Sequence, residues 1–329
     1  MPNPRDPSML LAAARLYYVH GRSQAEVAKA LGTSRSNVSR MLSEALRQSI
    51  VEIRINDPEG RVHELEDELR SAFGLNEVRV AHTRLLPGLR VEDAVGTQAA
   101  RLLLDKLKDS TTVALSWGHA LQAMVYATTA DHEFHHLTLV QLVGGLSSIS
   151  NEISGQELVR ELAVRLGAKY RFLHAPATLE STTSRRSLMA EPSISDALKD
   201  AGRADIAFVG IGTPAHGSSA AILDSLNLGP AEHEAFWDAG PVGDVAARYY
   251  NTQGTPIRGV VDDRVLGISL EGLLEIPNVV GVASGRAKTP GVLGALRGRL
   301  IDSLVCDEAL ARSVLSAAAS GSAFEGTHP

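Results

Sequence analysis

Cysteine is nearly absent from this chain of 329 residues, in which Cys306 stands alone. A single cysteine excludes an intramolecular disulfide bond and a metal site built from several cysteines. Aromatic residues make up only 4% of the chain, so the core must consist mainly of leucine, valine, isoleucine and alanine. No apolar run approaches the roughly 20 residues that span a bilayer, and the polar N-terminus lacks the pattern of a secretory signal. We therefore expect a cytoplasmic protein that does not contact a membrane.

Positive charge is concentrated near the N-terminus, although the net charge of the chain is −6. Residues 1–50 contain seven Lys or Arg and three Asp or Glu, which gives +4, so the remaining residues sum to −10. A basic N-terminal segment on an acidic body indicates that only the segment contacts a polyanion such as nucleic acid. An ordinary solvated helix surface gives a similar bias, so the local pattern has to decide.

The N-terminal segment, residues 1–55, has the pattern of a helix-turn-helix. An apolar stripe over residues 10–18 predicts a first helix, which Gly21 ends. Residues 23–26 have the form of a capping box, so a second helix follows and ends at Gly32. Ser34 is a suitable N-cap for a third helix, whose buried face is predicted to carry Val38, Met41, Leu42 and Ala45.

The other face of the third helix carries residue types that contact DNA. In a helix-turn-helix this helix lies in the major groove, with its first residues toward the base edges. Arginine suits the guanine edge and asparagine suits adenine, whereas serine hydroxyls suit phosphates. The alternative is a small helical hairpin used only for packing. We predict contacts to double-stranded operator DNA from Ser23, Gln24, Ser34, Arg35, Ser36, Asn37, Ser39 and Arg40.

Residues 56–90 are predicted to be a linker helix and a first strand. The alternation over residues 50–55 indicates a short strand before them. Apolar positions between Val62 and Phe73 share one helix face, and Gly74 closes that helix. This helix either pairs with its copy in a dimer or packs on its own chain. Residues 77–81 are predicted to form the first strand of the large domain.

Residues 91–320 alternate between apolar strands and amphipathic helices and precede a flexible tail over residues 321–329. Such alternation predicts a large doubly wound α/β domain with a mostly parallel sheet covered on both faces. Binding sites in these sheets lie at the carboxyl ends of the strands. The predicted strands cover residues 111–116, 137–143, 205–212, 279–283 and 300–305, and the predicted helices cover residues 154–166, 290–297 and 307–317.

Three loops at predicted strand ends suit an anion. A glycine turn that leads into a helix presents free backbone N–H groups to a phosphate. Residues 144–148, which begin with Gly144 and Gly145, offer such backbone access together with hydroxyls. Residues 284–288 add two cations, Arg286 and Lys288. The third loop consists of Ser116, Trp117, Gly118 and His119.

Single side chains near these loops have alternative roles. Lys288 at a helix start is predicted to contact phosphate, although a Schiff base with an aldehyde sugar or a plain surface lysine is also compatible with its place. Gln141 either binds sugar hydroxyls or is a buried amide satisfied by the backbone. Asp205 begins a strand, where it either lines the pocket or caps a turn.

Segments along nearly the whole chain resemble those of one family. They are the helix-turn-helix, Ser116-Trp117-Gly118, Val143-Gly144-Gly145, residues 205–212, Gly243-Asp244 before Tyr249-Tyr250, residues 263–268, Ile276-Pro277, Lys288, residues 295–298 and Asp307-Glu308. The chain is similar to the SorC family of sugar-responsive transcriptional regulators. The resemblance implies a sugar-binding domain with the fold of glucosamine-6-phosphate deaminase and ribose-5-phosphate isomerase. It also implies a homo-oligomer, a dimer or tetramer, whose DNA binding changes with a phosphorylated sugar. One departure is His119-Ala120, where the family often has threonine.

The alternative function is that of a sugar-phosphate isomerase or deaminase. Such an enzyme needs a carboxylate or histidine base against the sugar carbons. Residues 210–217 are similar to the glycine-rich stretch of the deaminases, but Pro214 and Ala215 replace its Asp-Gly part, so the catalytic carboxylate is missing. A free-standing enzyme has no use for a DNA-binding segment, and the acidic body disfavours a DNA-packaging protein. We predict a non-enzymatic regulator, without cofactor or metal, whose operator affinity is controlled by a sugar or sugar phosphate.

Overall fold

The structure, a computed structural model, describes residues 6–51, 59–83, 88, 90–131, 133–145 and 154–321. The chain forms two separate units, residues 1–57 and residues 58–329, here called the N-terminal unit and the C-terminal unit. Residues 52–55 of the predicted short strand, residues 146–148 of the second predicted loop and residues 322–329 of the predicted tail lie outside the described residues.

The N-terminal unit contains the predicted helix-turn-helix. Helix α1 (Pro7–Ala14) continues as a π-helical turn (Arg15–Val19), and α2 (Gln24–Ala30) and α3 (Arg35–Arg47) follow. The turn before α3 contains Gly32 at a φ of 61°, a conformation that favours glycine. The three helices share a small core, which consists of Leu10, Ala13, Ala14, Val27, Ala28, Val38, Met41, Leu42 and Ala45.

In the C-terminal unit, strands and helices alternate from residue 63 onward. Its first part comprises α4 (His63–Phe73), β1 (Glu77–Ala81), α5 (Val91–Lys106), β2 (Thr112–Leu115), α6 (His119–Ala127), β3 (Thr138–Gln141), α7 (Gly155–Leu166), β4 (Lys169–Arg171), α8 (Thr182–Ala190) and α9 (Pro192–Ala201). Its second part comprises β5 (Ile206–Gly212), α10 (Gly217–Ser225), α11 (Pro230–Asp238), β6 (Gly243–Val245), β7 (Arg248–Tyr250), α12 (Val260–Arg264), α13 (Leu270–Leu274), β8 (Val279–Val282), a 3-10 turn (Arg286–Lys288), α14 (Thr289–Arg297), β9 (Ser303–Asp307) and α15 (Glu308–Ala319).

The predicted parallel sheet is confirmed in the described part of the chain. Its strand order is β1-β9-β8-β5-β2-β3-β4, and all neighbouring strands on this path run parallel. Consecutive residues of β8 and β9 are all buried, which requires cover on both faces of the sheet. The hairpin of β6 and β7 continues from the end of β5 in antiparallel pairing. β5 therefore lies inside the sheet, with β8 and β2 as its two parallel neighbours.

Several elements give little signal in the sequence. The edge strand β4 is exposed and polar, and β6 and β7 have three residues each, so none of them shows a usable alternation. The predicted strand over residues 300–305 begins later, at Ser303, because a turn that includes Arg299 at a φ of 52° precedes it. The sequence therefore predicted the buried strands and missed the short or exposed ones.

Helix α4 packs on its own chain, which decides between the two roles that the sequence left open. Leu65 and Leu69 are buried in the large core of the C-terminal unit, where α4 lies against β1 and α15. Its apolar face is therefore already covered within the unit.

A buried arginine joins the hairpin to the loops that follow it. Arg248 on β7 is 3% exposed and donates to the carbonyl groups of Asp262 at 2.8 Å, Gly267 at 3.0 Å and Ile268 at 3.0 Å. It also donates to the Asp262 carboxylate at 2.7 Å. Removal of one partner from a buried, hydrogen-bonded ion pair is strongly destabilising.

Replacing Arg248 with methionine should therefore lower the free energy of unfolding by on the order of 3–5 kcal/mol. Urea unfolding followed by tryptophan fluorescence measures this in the C-terminal unit, because both tryptophans of the chain, Trp117 and Trp237, lie there. The control is Arg258→Met, since Arg258 pairs with the same aspartate but is half exposed, and we expect a loss below about 1 kcal/mol. Equal losses for the two variants would contradict the role of Arg248.

Candidate functional site

Helix α3 presents an exposed polar face to solvent. Arg35, Ser36, Ser39 and Arg40 are exposed, whereas Val38 on the opposite face is fully buried. The Ser34 hydroxyl caps the helix by accepting a hydrogen bond from the backbone N–H of Asn37 at 3.2 Å. A capped helix with two arginines on its open face suits the major groove.

Other predicted DNA contacts already have partners within the N-terminal unit. The Ser23 hydroxyl accepts from the backbone N–H of Glu26 at 3.3 Å, and the Glu26 carboxylate accepts from the backbone N–H of Ser23 at 2.8 Å, which confirms the capping box. The Asn37 side-chain amide donates to the Thr33 hydroxyl at 2.8 Å, and Gln24 is half-buried at the start of α2. Ser23 and Asn37 therefore stabilise the helix starts and the turn, and the exposed arginines and serines of α3 are the stronger candidates. Among these, Ser36 shares a hydrogen bond with the Ser34 hydroxyl at 3.0 Å, and Arg40 donates to the Ser36 carbonyl at 3.4 Å.

A pocket opens in the C-terminal unit at the carboxyl ends of three neighbouring strands, β8, β5 and β2. This is the edge where parallel sheets place their binding sites. Its wall is formed by residues 116–120, 210–212, 217–219 and 282–284, together with Glu92, Asp244, Ala246 and Lys288.

Three helices begin at this pocket, and none of them is capped by a side chain. Their N-cap residues are Gly118 for α6, His216 for α10 and Lys288 for α14. The first backbone N–H groups of a helix have no partner within the helix, and its N-terminus carries a partial positive charge. Two such ends, those of α6 and α10, favour an anion in the pocket. The start of α14 does not add a third, because the N–H groups of Lys288 and Thr289 are bonded to the carbonyl groups of Gly285 and Arg286 and Pro290 has no N–H.

The turn that carries Lys288 is held by Asp307, a buried residue at the end of β9. One carboxylate oxygen of Asp307 accepts from the backbone N–H of Gly285 at 2.6 Å. The other oxygen caps α15 by accepting from the N–H groups of Ala309 at 2.9 Å and Leu310 at 3.1 Å. Asp307 therefore positions the turn from which the lysine reaches the pocket wall.

Asp244 on β6 adds a buried carboxylate to the pocket. The Ser219 hydroxyl donates to one of its oxygens, and the backbone N–H of Ala247 donates to the other at 3.2 Å. Burial raises the pKa of the Asp244 carboxyl above its ordinary value, and these hydrogen bonds and the charge of Lys288 offset this rise only in part. A Cβ atom at Gly212 would collide with both Asp244 and Ser219, so only glycine fits beside this pair.

Close backbone packing joins the first predicted loop to β5. The Ser116 hydroxyl accepts from the backbone N–H of Gly210 at 3.1 Å. A Cβ atom at Gly210 would lie 2.7 Å from the Trp117 carbonyl oxygen, which is closer than real side chains approach. Ser116 thus links two strand ends as well as lining the pocket.

The structure brings five of the predicted effector-binding residues together, and they come from two of the three loops. The five residues that line the pocket are Ser116, Trp117, Gly118, His119 and Lys288. The backbone N–H groups of Gly144 and Gly145 are already bonded, to the carbonyl groups of Leu266 at 3.0 Å and Ala175 at 2.8 Å. The prediction that these two glycines offer free N–H groups to an anion is therefore wrong.

Gln141 and Asp205 also lie outside the pocket wall, and each has a backbone partner. The Gln141 amide donates to the Val143 carbonyl at 2.7 Å and accepts from the Leu173 N–H at 3.2 Å, so it is the buried, backbone-satisfied amide of the second alternative. The Asp205 carboxylate accepts from the Thr112 N–H at 2.7 Å, at the amino ends of β5 and β2. That is the edge of the sheet opposite the pocket.

Sequence reasoning missed the part of the pocket that α10, β6 and α5 supply. Ser218, Ser219, Asp244 and Glu92 were not among the predicted site residues, although all four line the pocket. A signal existed for three of them, because Gly243-Asp244 belongs to the family-like segments and the glycine-rich residues 210–217 lead directly into the two serines. Glu92 follows no predicted strand and gave no such signal.

Comparison with known protein families assigns both units. The family described as "Putative sugar-binding domain" matches residues 57–316, and "Sigma-70, region 4" matches residues 15–48. The chain belongs to the SorC family of sugar-binding transcriptional regulators. The second match covers α2 and α3, in agreement with a helix-turn-helix.

Relatives in the SorC family align along almost the full chain. The sorbitol operon regulator of Klebsiella pneumoniae is 29% identical over 320 residues, which cover 96% of this chain and 100% of the relative. The deoxyribonucleoside regulator of Bacillus subtilis is 26% identical over 306 residues, with 93% and 96% covered. The chain is therefore a sugar-responsive, DNA-binding regulator and not an isomerase or deaminase.

Solved structures of SorC-type proteins have the same fold. The full-length sorbitol operon regulator SorC from Klebsiella pneumoniae superposes with a TM-score of 0.70 at 28% identity and covers 94% of this chain and 98% of its own. A sugar-binding domain of a transcriptional repressor from Vibrio fischeri gives a TM-score of 0.70 at 26% identity, with 78% of this chain and 100% of that domain covered.

Within the described residues, none of the helices is long and apolar enough to cross a membrane.

The exposed face of α3 leads to a test with two arginine variants. Arg35→Ala should reduce the preference for specific DNA by about 1–3 kcal/mol, because arginine near the helix start suits a guanine edge. If Arg40 contacts phosphate, Arg40→Ala should weaken binding to all duplexes. It should also reduce the slope of log binding constant against log salt concentration by about one. Fluorescence anisotropy with DNA from upstream of the gene and with random DNA, at several salt concentrations, measures both.

The control for this test is Arg312→Ala, which removes an exposed arginine of α15 in the C-terminal unit. It should bind both duplexes like the wild type. If wild-type protein shows no preference for the upstream DNA, or if both α3 variants bind like the control, α3 is not the recognition helix.

Proposed function

We propose that this regulator binds a sugar phosphate in the pocket of the C-terminal unit and that this binding controls its affinity for operator DNA. The observation that carries the proposal is the convergence of the uncapped N-termini of α6 and α10 and of Lys288 on one pocket. A phosphate dianion gains from each helix end and from the lysine charge, whereas an uncharged sugar gains little from either.

The carboxylates of the pocket favour a ligand with one anionic end and one hydroxylated end. Asp244 and Glu92 accept hydrogen bonds from hydroxyl groups and repel a second negative charge placed beside them. The serine hydroxyls of residues 218 and 219 add further polar groups to the wall. This combination fits a sugar or polyol monophosphate better than a bisphosphate or a free sugar.

Control of DNA binding requires that the ligand distinguish two arrangements of the protein. The sugar phosphate must bind one arrangement more tightly than the other, and the resulting coupling is reciprocal between ligand and DNA. A typical coupling of about 1–3 kcal/mol changes the operator affinity roughly 5- to 150-fold. We infer that both arrangements belong to a homo-oligomer.

The small size of the N-terminal unit supports the proposed oligomer. A single short recognition helix makes few base contacts, and paired helices on a twofold axis read half-sites about one helical turn apart. The apolar face of α4 is covered within its own unit, so other surfaces must supply the contacts. A monomer mass by light scattering, with and without DNA, would contradict this part of the proposal.

Substitution of Lys288 with methionine tests the phosphate site. We expect about 10-fold or greater weakening of sugar-phosphate binding and little change for the matching free sugar, because a charge-assisted hydrogen bond is lost. Binding is measured by thermal shift with a panel of hexose, pentose and polyol monophosphates and their unphosphorylated counterparts, since a ligand of the native state raises the melting temperature. Operator binding without ligand should persist.

The matched control is Arg286→Met. Arg286 lies on the same turn as Lys288, but its side chain does not line the pocket. This variant should retain sugar-phosphate binding. If Lys288→Met binds phosphorylated and free sugars with equally reduced affinity, Lys288 does not contact the phosphate. A panel in which no monophosphate stabilises the wild-type chain would contradict the proposed function itself.

A further inference from the structure

The C-terminal unit leaves one edge of its parallel sheet open. The sheet ends at β1 on one side and at β4 on the other. The outer edge of β1 is covered by residues 60–62, because the Val62 N–H donates to the Val80 carbonyl at 2.9 Å and the His82 N–H donates to the Gly60 carbonyl at 2.8 Å. By contrast, all three residues of β4 are exposed. Such an edge is a template for pairing with a further strand.

The backbone of β4 has hydrogen-bonding groups that point away from the sheet. The Lys169 N–H donates to the Leu137 carbonyl at 2.9 Å, and in a parallel pair every second residue faces the same neighbour. Lys169 and Arg171 therefore face β3, whereas the N–H and C=O groups of Tyr170 and Phe172 face the open edge. Outside the β3–β4 pairing, none of the backbone hydrogen bonds of the described residues uses Tyr170 or Phe172.

Aromatic rings lie in a row along this open edge. The ring centroids of Tyr170 and Phe172 are 4.8 Å apart, and those of Phe172 and His174 are 5.7 Å apart. Tyr170 is 46% exposed, and Phe172 is only partly buried. Edges that have to stay unpaired are usually guarded by charged side chains or proline, and a row of half-exposed rings is a poor guard. The rings therefore favour an apolar partner at this edge.

The charge of Arg171 is balanced within the chain. Its guanidinium forms an ion pair with Asp200 of α9. Successive side chains of a strand point to opposite faces of the sheet, so Arg171 lies on the face opposite to Tyr170 and Phe172. The edge thus has an aromatic face and a face with a neutral ion pair. A strand that approaches Arg171 meets no net charge there.

We propose that β4 pairs in antiparallel orientation with β4 of a second copy of this chain, with the twofold axis at Arg171. This inference rests on the homo-oligomer of the proposed function, for which it supplies an interface. In this register Tyr170 lies opposite Phe172 of the second copy, and the two residues exchange their outward N–H and C=O groups. The rings of both copies then form one row on one face, where aromatic residues directly opposite each other stabilise the ladder.

The second copy is the occupant because the edge is complementary to itself. The twofold axis matches each outward N–H with an outward C=O and each ring with a ring. On the other face the two Arg171–Asp200 pairs lie side by side, so each arginine has an aspartate of both copies nearby and their charges alternate. Lys169 lies opposite Leu173 of the second copy and away from the other Lys169. A homo-oligomer also needs a surface other than α4, whose apolar face is covered.

Cysteine substitutions in the full chain test the register. Across the axis the Cα atoms of Arg171 and its copy form a non-hydrogen-bonded pair about 4.5 Å apart, which suits a disulfide bond. Arg171→Cys should therefore give a covalent dimer on a non-reducing gel after oxidation with copper phenanthroline. Lys169→Cys is the matched control, because it is also exposed but lies about 14 Å from its copy in this register and should not be crosslinked. Cys306 is buried and does not contribute.

The substitution Tyr170→Lys tests the interface by the mass of the oligomer. Lysine on an edge strand opposes pairing, so light scattering should give half the mass of the wild type. Thermal shift with the panel of monophosphates should match the wild type, because β4 does not line the pocket. Tyr126→Lys is the control, since Tyr126 on α6 is also half exposed, at 52%, and this variant should keep the full mass.

Two results would overturn the inference but leave the sugar-phosphate site intact. One is an oligomeric wild type in which Arg171→Cys is not crosslinked or is crosslinked no better than Lys169→Cys, which would leave the edge to a strand of another protein. The other is a Tyr170→Lys variant that keeps the full mass. A monomeric wild type would remove both the interface and the proposed oligomer. Failure of every panel monophosphate to stabilise the wild type would contradict the pocket and not the interface.

Discussion

The parallel alignment of β8, β5 and β2 is the constraint on which the effector pocket depends. Strands that run in the same direction bring the helices that follow them to the same edge of the sheet. Here α6 follows β2, α10 follows β5, and α14 follows β8, and each begins without a side-chain cap. A close backbone contact packs α14 against the end of β5, since a Cβ atom at Gly291 would lie 2.9 Å from the Gly212 carbonyl oxygen. The convergence of helix starts on the pocket is thus a consequence of topology, to which Lys288 adds a cation and Asp244 and Glu92 add carboxylates.

Polar side chains in this protein divide between those that build the backbone and those that remain available to a ligand. Asp307, Ser23 and Ser34 accept hydrogen bonds from backbone N–H groups at helix starts and turns. Asp244 belongs to both groups, because its oxygens accept from Ser219 and Ala247 while it also lines the pocket. The residue type alone therefore does not tell whether a polar side chain binds the backbone or a ligand. That depends on whether an unpaired backbone group lies within its reach.

The same distinction explains how far the sequence could predict the site. The alternation of buried strands with helices predicts the parallel sheet and its carboxyl edge, which placed His119 and Lys288 correctly on the pocket wall. Gln141 could not be assigned from the sequence, because one of the two backbone groups that satisfy it belongs to Leu173, a contact that only the fold creates. Asp244 was missed because it lies on a strand of three residues that has no pattern of its own. Glu92 was missed because a helix start next to a pocket has the same sequence as one next to solvent.

The central claim is that one pocket for a sugar phosphate is thermodynamically coupled to the DNA-binding unit. Isothermal titration of the full chain with the most stabilising panel monophosphate, in the absence and in the presence of saturating operator DNA, tests this most directly. We predict that operator DNA changes the affinity for the sugar phosphate by the same factor by which the sugar phosphate changes the affinity for the operator, within the range of about 5- to 150-fold. Identical sugar-phosphate affinities with and without operator DNA would contradict the account.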